Sequence, residues 1–246
     1  MVTSHESRQL AAAVDKAFAT IQFTPTGTIL SCNQNFSDLM GYGVAEIKGK
    51  HHSIFVSEQA AASEEYQCFW ERLQQGEFIE AQYKRLRKDG RYVWLQASYV
   101  PITDEEGRTE IVIKIATDIT ARKNADLEVE ARMAAIERAM AVIEFTPEGK
   151  ILTANRNFLD VMGYELSEIQ GKHHRIFVKE TERESEDYSK FWPSLAEGAI
   201  HRGLFERVSK SGKAVDLEAT YQRVVDEAGV VQKVVKFAYD VSAQKQ

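Results

Sequence analysis

Apolar side chains recur with helical spacing in one stretch of the chain and with strand spacing in the next. The helical stretch carries apolar residues at i, i+3, i+4 and i+7, namely Tyr66, Phe69, Trp70 and Leu73. This spacing puts all four on one side of a helix, which predicts a helix packed against a core. The pattern recurs in residues 188–195, where Pro193 stands in the middle. Because an interior proline removes a hydrogen bond and clashes with the preceding turn, we expect a kink or break there.

The strand-like stretches alternate with a period of two, which predicts antiparallel strands joined by glycine-containing turns. One alternating set recurs unchanged later in the chain: Val93, Leu95, Ala97 and Tyr99 return as Val215, Leu217, Ala219 and Tyr221. The residues between them change, so we expect the constant set to face a core and the changing set to face outward. Trp94 belongs to the changing set. It is expected to be an exposed indole on an open sheet face, and we expect a partner, a domain or a helix to lie over it.

The recurrence extends over most of the chain, since residues 19–120 align with residues 141–242 without a gap at a constant offset of 122 positions. Such a repeat predicts two domains of like fold. Early in the first repeat, Asn33 stands where a helix N-cap belongs and Gly41 where that helix should end.

Residues 121–140 lie between the repeats and lack proline and glycine, which predicts a linker helix. Their apolar seam makes that helix amphipathic: Ala125, Val129, Met133, Ile136 and Met140. The same offset places this segment over residues 1–18, so we expect an N-terminal amphipathic helix there. Residues 243–246 remain as a C-terminal tail.

The composition is that of a globular protein, with 43% hydrophobic and 28% charged residues. A net charge of −6 argues against general affinity for nucleic acid or anionic lipid. No apolar run approaches the roughly 20 residues of a membrane span. Cys32 and Cys68 have no cysteine counterparts in the other repeat, so they indicate neither a disulfide framework nor a metal site. These features fit a reducing cytoplasm.

Both repeats share the words "N..F....GY....I.GK", a Lys-Asp-Gly or Lys-Ser-Gly turn, and a closing "TDIT" or "YDVS". These motifs and the order of elements resemble the PAS sensory domain. Longer phrases, "GKHH.IFV", "FW..L..GEF", "VWLQASYVPI" and "VVKFAYDVS", are similar to the tandem PAS modules of cytoplasmic chemoreceptor-like proteins, including the biofilm-dispersion regulator type. The resemblance implies an α+β fold with two PAS domains, domain 1 (residues 19–120) and domain 2 (residues 141–242). Each would be a five-stranded antiparallel sheet with short helices on one face, and the amphipathic helix would join them.

The resemblance further implies a bacterial sensory module that detects a small ligand, redox state or oxygen and relays it through helices to a chemotaxis-type or second-messenger pathway. Two alternatives stay open: a ligand-free PAS pair that dimerises or docks a partner, and the input module of a missing kinase or cyclase. The expected partners are a second copy or a signalling protein, bound through helices and the sheet face. Receptors of this type continue into a methyl-accepting domain, so the ending "SAQKQ" predicts a truncated piece or a stand-alone pair.

No glycine-rich phosphate loop, nucleophile elbow, CxxC motif or metal-spaced His/Glu pair is found in the sequence. We therefore expect no catalytic residues and no enzymatic activity.

The candidate ligand contacts are a duplicated histidine pair, which the resemblance places near the rim of each pocket: His51, His52, His173 and His174. Adjacent helical residues point about 100° apart, so at most one of each pair can face a ligand. Three interpretations stay open: a structural histidine, a ligand of haem iron, or another ligand contact. Haem is the first candidate cofactor and non-covalent FAD the second. A covalent LOV-type flavin is not expected, because the segment lacks the required cysteine, and no other metal is expected.

Lys114 and Asp118 recur as Lys236 and Asp240 on one face of the last strand, ahead of the outgoing helix. One interpretation is a structural ion pair, though not necessarily between these two. The other is that the aspartates tie the sheet to the outgoing helix and relay a change at the pocket.

A second, peripheral ion pair is expected between Glu46 and Lys88, and between Glu168 and Lys210. Exposed, it would contribute roughly 0–1 kcal/mol.

Overall fold

The computed structural model describes residues 3–245 and gives the two repeats the same order of elements. The expected helix in residues 1–18 is present as α1 (Ser4–Ala17), while residues 1 and 2 lie outside the described residues. Domain 1 then contains β1 (Ala19–Phe23), β2 (Ile29–Cys32), α2 (Gln34–Met40), α3 (Val44–Ile47), a 3₁₀ turn (His52–Phe55), α4 (Glu58–Ala61), α5 (Glu64–Gln74), β3 (Ile79–Leu86), β4 (Tyr92–Thr103) and β5 (Thr109–Asp118).

The linker follows as α6 (Thr120–Ala139). Domain 2 contains β6 (Ala141–Phe145), β7 (Ile151–Ala154), α7 (Arg156–Met162), α8 (Leu166–Ile169), a 3₁₀ turn (His174–Phe177), α9 (Glu180–Arg183), α10 (Glu186–Glu197), β8 (His201–Val208), β9 (Ala214–Val225) and β10 (Val231–Asp240). The expected tail begins within a 3₁₀ turn (Ser242–Lys245), and residue 246 lies outside the described residues. The chain divides into two compact units between Glu128 and Val129.

Each domain is built on one five-stranded antiparallel sheet, in the order β2-β1-β5-β4-β3 and its counterpart β7-β6-β10-β9-β8. The expected α+β fold is confirmed. Between the second and third strands in chain order, the short helices cover one face of the sheet and enclose the core. In the register of β4 and β5, Tyr99 lies directly opposite Lys114, and in domain 2 Tyr221 lies opposite Lys236. This register brings the tyrosine and the lysine of the candidate site together.

The alternation in β4 is confirmed, because Val93, Leu95, Ala97 and Tyr99 are all buried. Trp94 is half-buried, so the prediction of an exposed indole is wrong. Lys123, in the first turn of α6, places its ammonium nitrogen 5.3 Å from the centre of the indole ring and covers it. A cation over an aromatic face is itself favourable.

The predicted helix ends are confirmed in α2. The Asn33 side chain accepts a hydrogen bond from the Phe36 backbone N–H, and Gly41 ends the helix in the left-handed conformation. Of the kink or break predicted at Pro193, the break is wrong, since α10 continues to Glu197, and the kink stays a prediction. Trp192 and Leu195 on either side are buried, and their packing holds the helix across the missing hydrogen bond.

The linker helix has most of its apolar seam in solvent, with Ile136 and Met140 half-buried. No side chain of α6 is buried among the described residues, and Val129 and Met133 are 61% and 45% exposed. None of the helices in residues 3–245 has both the length and the apolar character needed to cross a membrane.

Gly27 lies in the turn between β1 and β2 with φ of +86°, where an added Cβ would stand 2.6 Å from Nε2 of His51 and 2.8 Å from Trp70. Gly49 has a similar φ of +80° but no heavy atom within 4 Å of an added Cβ. The two glycines therefore share the backbone requirement and differ only in the space around them.

We expect Gly27→Ala to destabilise domain 1 more than Gly49→Ala. Both substitutions incur the left-handed strain of about 1–2 kcal/mol, and only Gly27→Ala adds overpacking of roughly 1–3 kcal/mol. Thermal or urea unfolding of the two variants measures the difference. Equal losses would show that the turn does not press on His51 and Trp70.

Candidate functional site

The first histidine of each pair is part of the backbone scaffold. His51 is the N-cap of the 3₁₀ turn, where its Nδ1 accepts from the Ser53 N–H at 3.2 Å. Its Nε2 lies 2.9 Å from the Thr26 carbonyl oxygen and donates to it. His173 caps the corresponding turn of domain 2 by accepting from the Arg175 N–H at 3.1 Å. These contacts hold the turn against the loop that precedes β2 or β7.

The second histidine of each pair is fully buried with both ring nitrogens bonded. Nδ1 of His52 lies 2.8 Å from the Tyr66 hydroxyl and Nε2 lies 3.0 Å from the Tyr99 hydroxyl. His174 repeats the arrangement with Tyr188 and Tyr221, both at 3.0 Å. The imidazole thus joins the 3₁₀ turn to the long helix on one side and to β4 or β9 of the sheet on the other.

The rings around His52 fill the space between the helices and the sheet. Phe23 and Trp70 have their ring centres 5.4 Å from that of His52, and Tyr99 has its centre at 5.9 Å. Edge-to-face contacts at such distances are favourable aromatic packing. The interior of the domain is therefore a packed aromatic core around one imidazole.

These residues do not fit haem. Iron ligation needs a ring nitrogen with a free lone pair, and the nitrogens of His51 and His52 are taken by protein partners. The space beside His52 is already filled by the rings of Phe23, Trp70 and Tyr99. Within residues 3–245, no three His, Cys, Asp or Glu side chains are grouped as metal ligands.

Lys114 and Lys236 are buried, and the prediction that they form ion pairs is wrong. No carboxylate of the described residues lies within ion-pair distance of either ammonium group. The Lys114 nitrogen instead lies 5.1 Å from the centre of the Tyr99 ring, and that of Lys236 lies 5.0 Å from Tyr221. Asp118 is too distant, because four residues along a strand span about 13 Å.

Arg85 is a site residue that the sequence reasoning missed. It is 8% exposed, and its Nη2 donates to the Tyr99 hydroxyl at 3.4 Å. Arg207 makes the same contact with Tyr221 at 3.4 Å. The sequence signal was available, since the arginine recurs at the constant offset within a strand whose apolar alternation it interrupts. Each domain thus holds a network of one imidazole, two hydroxyls and two buried cations.

The network sets unusual proton affinities. Burial lowers the pKa of His52 well below its ordinary value, and the nearby charges of Arg85 and Lys114 lower it further. Burial also lowers the pKa of Lys114. For Tyr99, burial acts to raise the pKa, but Lys114 and Arg85 outweigh it and the pKa is lowered on balance.

Beside each network, the long helix and the neighbouring edge strand enclose a cleft that reaches the arginine. In domain 1 the cleft has a volume of about 180 Å³ between α5 and β3, and in domain 2 about 710 Å³ between α10 and β8. Tyr66, Phe69 and Tyr83 form the walls in domain 1. The clefts open to solvent and border buried cations, so they are the places where a small molecule can reach the network.

Asp118 and Asp240 hold the ends of their sheets to the segments that follow. Asp118 Oδ1 accepts from the Thr120 N–H at 2.8 Å, and the Thr120 hydroxyl accepts from the Trp94 N–H at 2.9 Å. Asp240 likewise accepts from the Ser242 N–H at 2.9 Å. The relay role predicted for these aspartates remains a prediction, and the contacts give it a physical route.

Two asparagines per domain, in the words "NQN" and "NRN", bind the end of the preceding helix. Asn33 Nδ2 donates to the Phe18 carbonyl at 2.8 Å, and Asn35 Nδ2 donates to the Asp15 carbonyl at 2.9 Å. Asn155 and Asn157 both donate to the Glu137 carbonyl, at 2.8 and 3.0 Å. Sequence reasoning found the N-cap role of Asn33 but not this second one, although the Asn-x-Asn spacing recurs.

The peripheral ion pairs Glu46–Lys88 and Glu168–Lys210 are both present, as expected. Their side chains are 38–50% exposed, so they contribute little to stability.

The fold and the duplicated network define a tandem of two like α+β domains. The family model described as "PAS fold" matches residues 29–116 and 151–238. The chain belongs to the PAS-fold family, which confirms the resemblance seen in its motifs.

Among curated proteins, the chain is 42% identical over 231 residues to the biofilm dispersion protein BdlA of Pseudomonas aeruginosa. The match covers 94% of this chain and 55% of that protein, so the chain spans about half the length of this relative. The bacterioopsin transcriptional activator of Halobacterium salinarum is 24% identical over 116 residues, which cover 47% of this chain and 17% of that protein.

Two solved structures are similar to parts or most of the chain. A PAS domain from Colwellia psychrerythraea has a TM-score of 0.42 at 23% identity, covering 47% of this chain and 98% of its own. An RNA-binding light-oxygen-voltage receptor has a TM-score of 0.40 at 12% identity, covering 93% and 97%.

The buried histidines predict a stability loss at mildly acidic pH. Because the folded-state pKa of His52 and His174 is lowered, these histidines are protonated in the unfolded chain at a pH where they stay neutral in the folded chain. This contribution is complete above the unfolded pKa of about 6.5 and is lost as pH falls below it, with a slope of up to about 1.4 kcal/mol per pH unit for each histidine.

We expect the urea midpoint to change little from about pH 8 to pH 7 and to fall from about pH 6.5 to pH 5. His52→Gln should be less stable at neutral pH and show a shallower fall, whereas His5→Gln in the exposed α1 should match the wild type. A His52 ring resonance that titrates near pH 6.5 would contradict the buried network.

Proposed function

We propose that this chain is a cytoplasmic sensory module, in which tandem PAS domains report a small-molecule signal to a chemotaxis-type or second-messenger pathway. It acts by binding and relay and not as an enzyme. The identity with a biofilm dispersion protein supports the pathway class. Membership of the PAS-fold family supports the sensory role.

One observation carries the proposal: in both domains, contacts run from the cleft to the last strand, and the end of that strand bonds the segment that leaves the sheet. In domain 1, Arg85 borders the cleft and contacts Tyr99, and Tyr99 lies opposite Lys114 across the β4–β5 ladder. Lys114 and Asp118 share β5, and Asp118 bonds the first turn of α6. A change of charge at the cleft therefore has a route to the helix.

The size of the coupling is set by the last contact. Losing a side-chain acceptor at a helix start costs about 0.5–2 kcal/mol. A relay needs two states that a ligand stabilises unequally, and a difference of about 1 kcal/mol changes their ratio about fivefold. The free energy of the aspartate contact is thus large enough to shift the ratio of the two states of the helix, and small enough for ligand binding to form or break the contact.

We also propose that α6 pairs with α6 of a second copy. The observation that favours this is the exposed apolar seam of α6, where Val129 and Met133 are 61% and 45% exposed. Pairing of two such helices would bury the seam, as in a coiled coil. This second function is compatible with the first, since a dimeric helix pair is a suitable element to transmit a signal.

The relay is tested at the C-terminal junction. Residues 1–246 are joined to the helical signalling domain of a chemotaxis receptor, and kinase activity is measured. We expect Asp240→Ala to change the kinase activity about fivefold, because it removes the acceptor for the Ser242 N–H. Glu227→Ala, in the exposed β9–β10 turn, is the matched control and should leave the activity unchanged. Identical activities for wild type, Asp240→Ala and the control would refute the relay.

The dimer is tested by a charge in the seam. We expect Val129→Glu to shift the chain from dimer to monomer in sedimentation or light scattering, because a buried carboxylate is unfavourable in a helix pair. Ala131→Glu, on the opposite side of α6, should stay dimeric. A monomeric wild type at high micromolar concentration would exclude this pairing.

A further inference from the structure

Domain 1 buries two cations without a carboxylate to balance them. Lys114 is 1% exposed and Arg85 is 8% exposed. Arg85 donates a hydrogen bond to the Tyr99 hydroxyl, and the Lys114 ammonium lies over the Tyr99 ring. Within residues 3–245, no carboxylate lies within 4.0 Å of the Arg85 guanidinium. Its acceptors are the Lys84 carbonyl at 3.1 Å and the Tyr99 hydroxyl at 3.4 Å, and its Nε, like that of Arg207, is buried without an acceptor. Buried charges are ordinarily paired, so the site is short of an anion.

In domain 2, a glutamate carboxylate stands beside the equivalent arginine. Arg207 is 2% exposed and occupies the place of Arg85, but its Nη1 lies 3.3 Å from Oε1 of Glu182. The residue of domain 1 at the position of Glu182 is Ala60, which lines the domain 1 cleft. The duplication thus retains the arginine and replaces its carboxylate by a methyl group.

The cleft of domain 1 offers room for a carboxylate from outside. It holds about 180 Å³, which is roughly the liquid volume of six water molecules. Tyr66 and Phe69 give it aromatic walls, and Arg85 closes its inner end. Glu65 stands at its rim, but Asp187 stands at the equivalent rim in domain 2, so this charge does not distinguish the two clefts.

We propose that the domain 1 cleft binds a small carboxylate of about two to four carbons, whose oxygens take beside Arg85 the place that Glu182 takes beside Arg207. Glu182 is the built-in counterpart that keeps domain 2 closed to such anions. The ligand class deepens the sensory function proposed above and rests on it only for the consequence of binding.

The chemistry of the site matches this class. A guanidinium binds a carboxylate through two parallel N–H···O hydrogen bonds, which fixes the orientation as well as the affinity. Short apolar tails fit against the aromatic walls, whereas the tails of larger acids would extend out of the cleft into solvent. In support, Lys114 and Arg85 outweigh burial and lower the pKa of Tyr99, while in domain 2 burial prevails and the pKa of Tyr221 is raised, with Glu182 adding to the rise.

The test follows the Nε–H resonances of Arg85 and Arg207 by NMR while the full chain is titrated with propionate. Propionamide serves as the uncharged match, and inorganic phosphate as the other oxyanion. We expect propionate to shift Arg85 saturably and to leave Arg207 unmoved, with propionamide moving neither. The proposal is overturned if the Arg85 resonance does not shift with propionate, or if it shifts with phosphate but not with propionate.

Two reciprocal substitutions sharpen the test. Ala60→Glu should weaken propionate binding at Arg85 at least tenfold relative to Ala60→Gln, because only the glutamate supplies a competing charge. Glu182→Ala should make Arg207 respond to propionate. Equal affinities for Ala60→Glu and Ala60→Gln overturn the proposal, and should Ala60→Glu fail to fold, an unresponsive Arg207 in Glu182→Ala overturns it as well.

The outcomes separate this inference from the sensory function. If propionate binds at Arg85 but leaves the kinase activity of the receptor chimera unchanged, the anion site stands and the sensory role of domain 1 fails. If Arg85 is silent while Asp240→Ala still alters the kinase activity, the relay stands and the anion site is refuted.

Discussion

Each domain depends on one buried imidazole with both of its nitrogens satisfied. A histidine taken from water and left with a bare nitrogen would be costly, and two tyrosine hydroxyls remove that cost for His52. Tyr66 lies on α5 and Tyr99 on β4, so the same two bonds join three elements. The aromatic rings then pack around a fixed centre. This is also why the site is unsuited to a metal, because the groups that would bind it already hold the fold.

The positive charges around the imidazole are not balanced by a nearby carboxylate in domain 1. A lysine and an arginine contact one tyrosine in domain 1, the lysine at the ring and the arginine at the hydroxyl, whereas domain 2 adds a glutamate to the arginine. A buried cation that lacks a counterion is a strained arrangement for a folded protein. In a sensory domain it is also the natural means of making the folded state respond to an anion, since binding and charge balance become the same event.

The duplication gives the chain its own internal comparison. Positions that agree in both copies serve the shared fold, as with the histidines, the tyrosines and the Asn-x-Asn words. Positions that differ beside them, such as Ala60 against Glu182, mark where the two domains can differ in function. Both copies hold the neighbouring helices with side-chain contacts of modest strength, the asparagines before the sheet and the aspartates after it. Such junctions allow a helix to respond without the sheet unfolding.

The sequence by itself determined the repeat, the buried alternation of β4 and the caps of α2, because these follow from spacing along the chain. Its motifs also indicated the PAS fold, through their resemblance to PAS repeats. It did not determine the partners of the side chains. His52 finds its tyrosines 14 and 47 residues away, Lys114 packs on an aromatic ring across the ladder, and Trp94 lies under Lys123. Packing likewise carried α10 through Pro193 against its local propensity. Only the tertiary structure decided these, since contacts between distant residues depend on how the elements are brought together and not on their spacing in the chain.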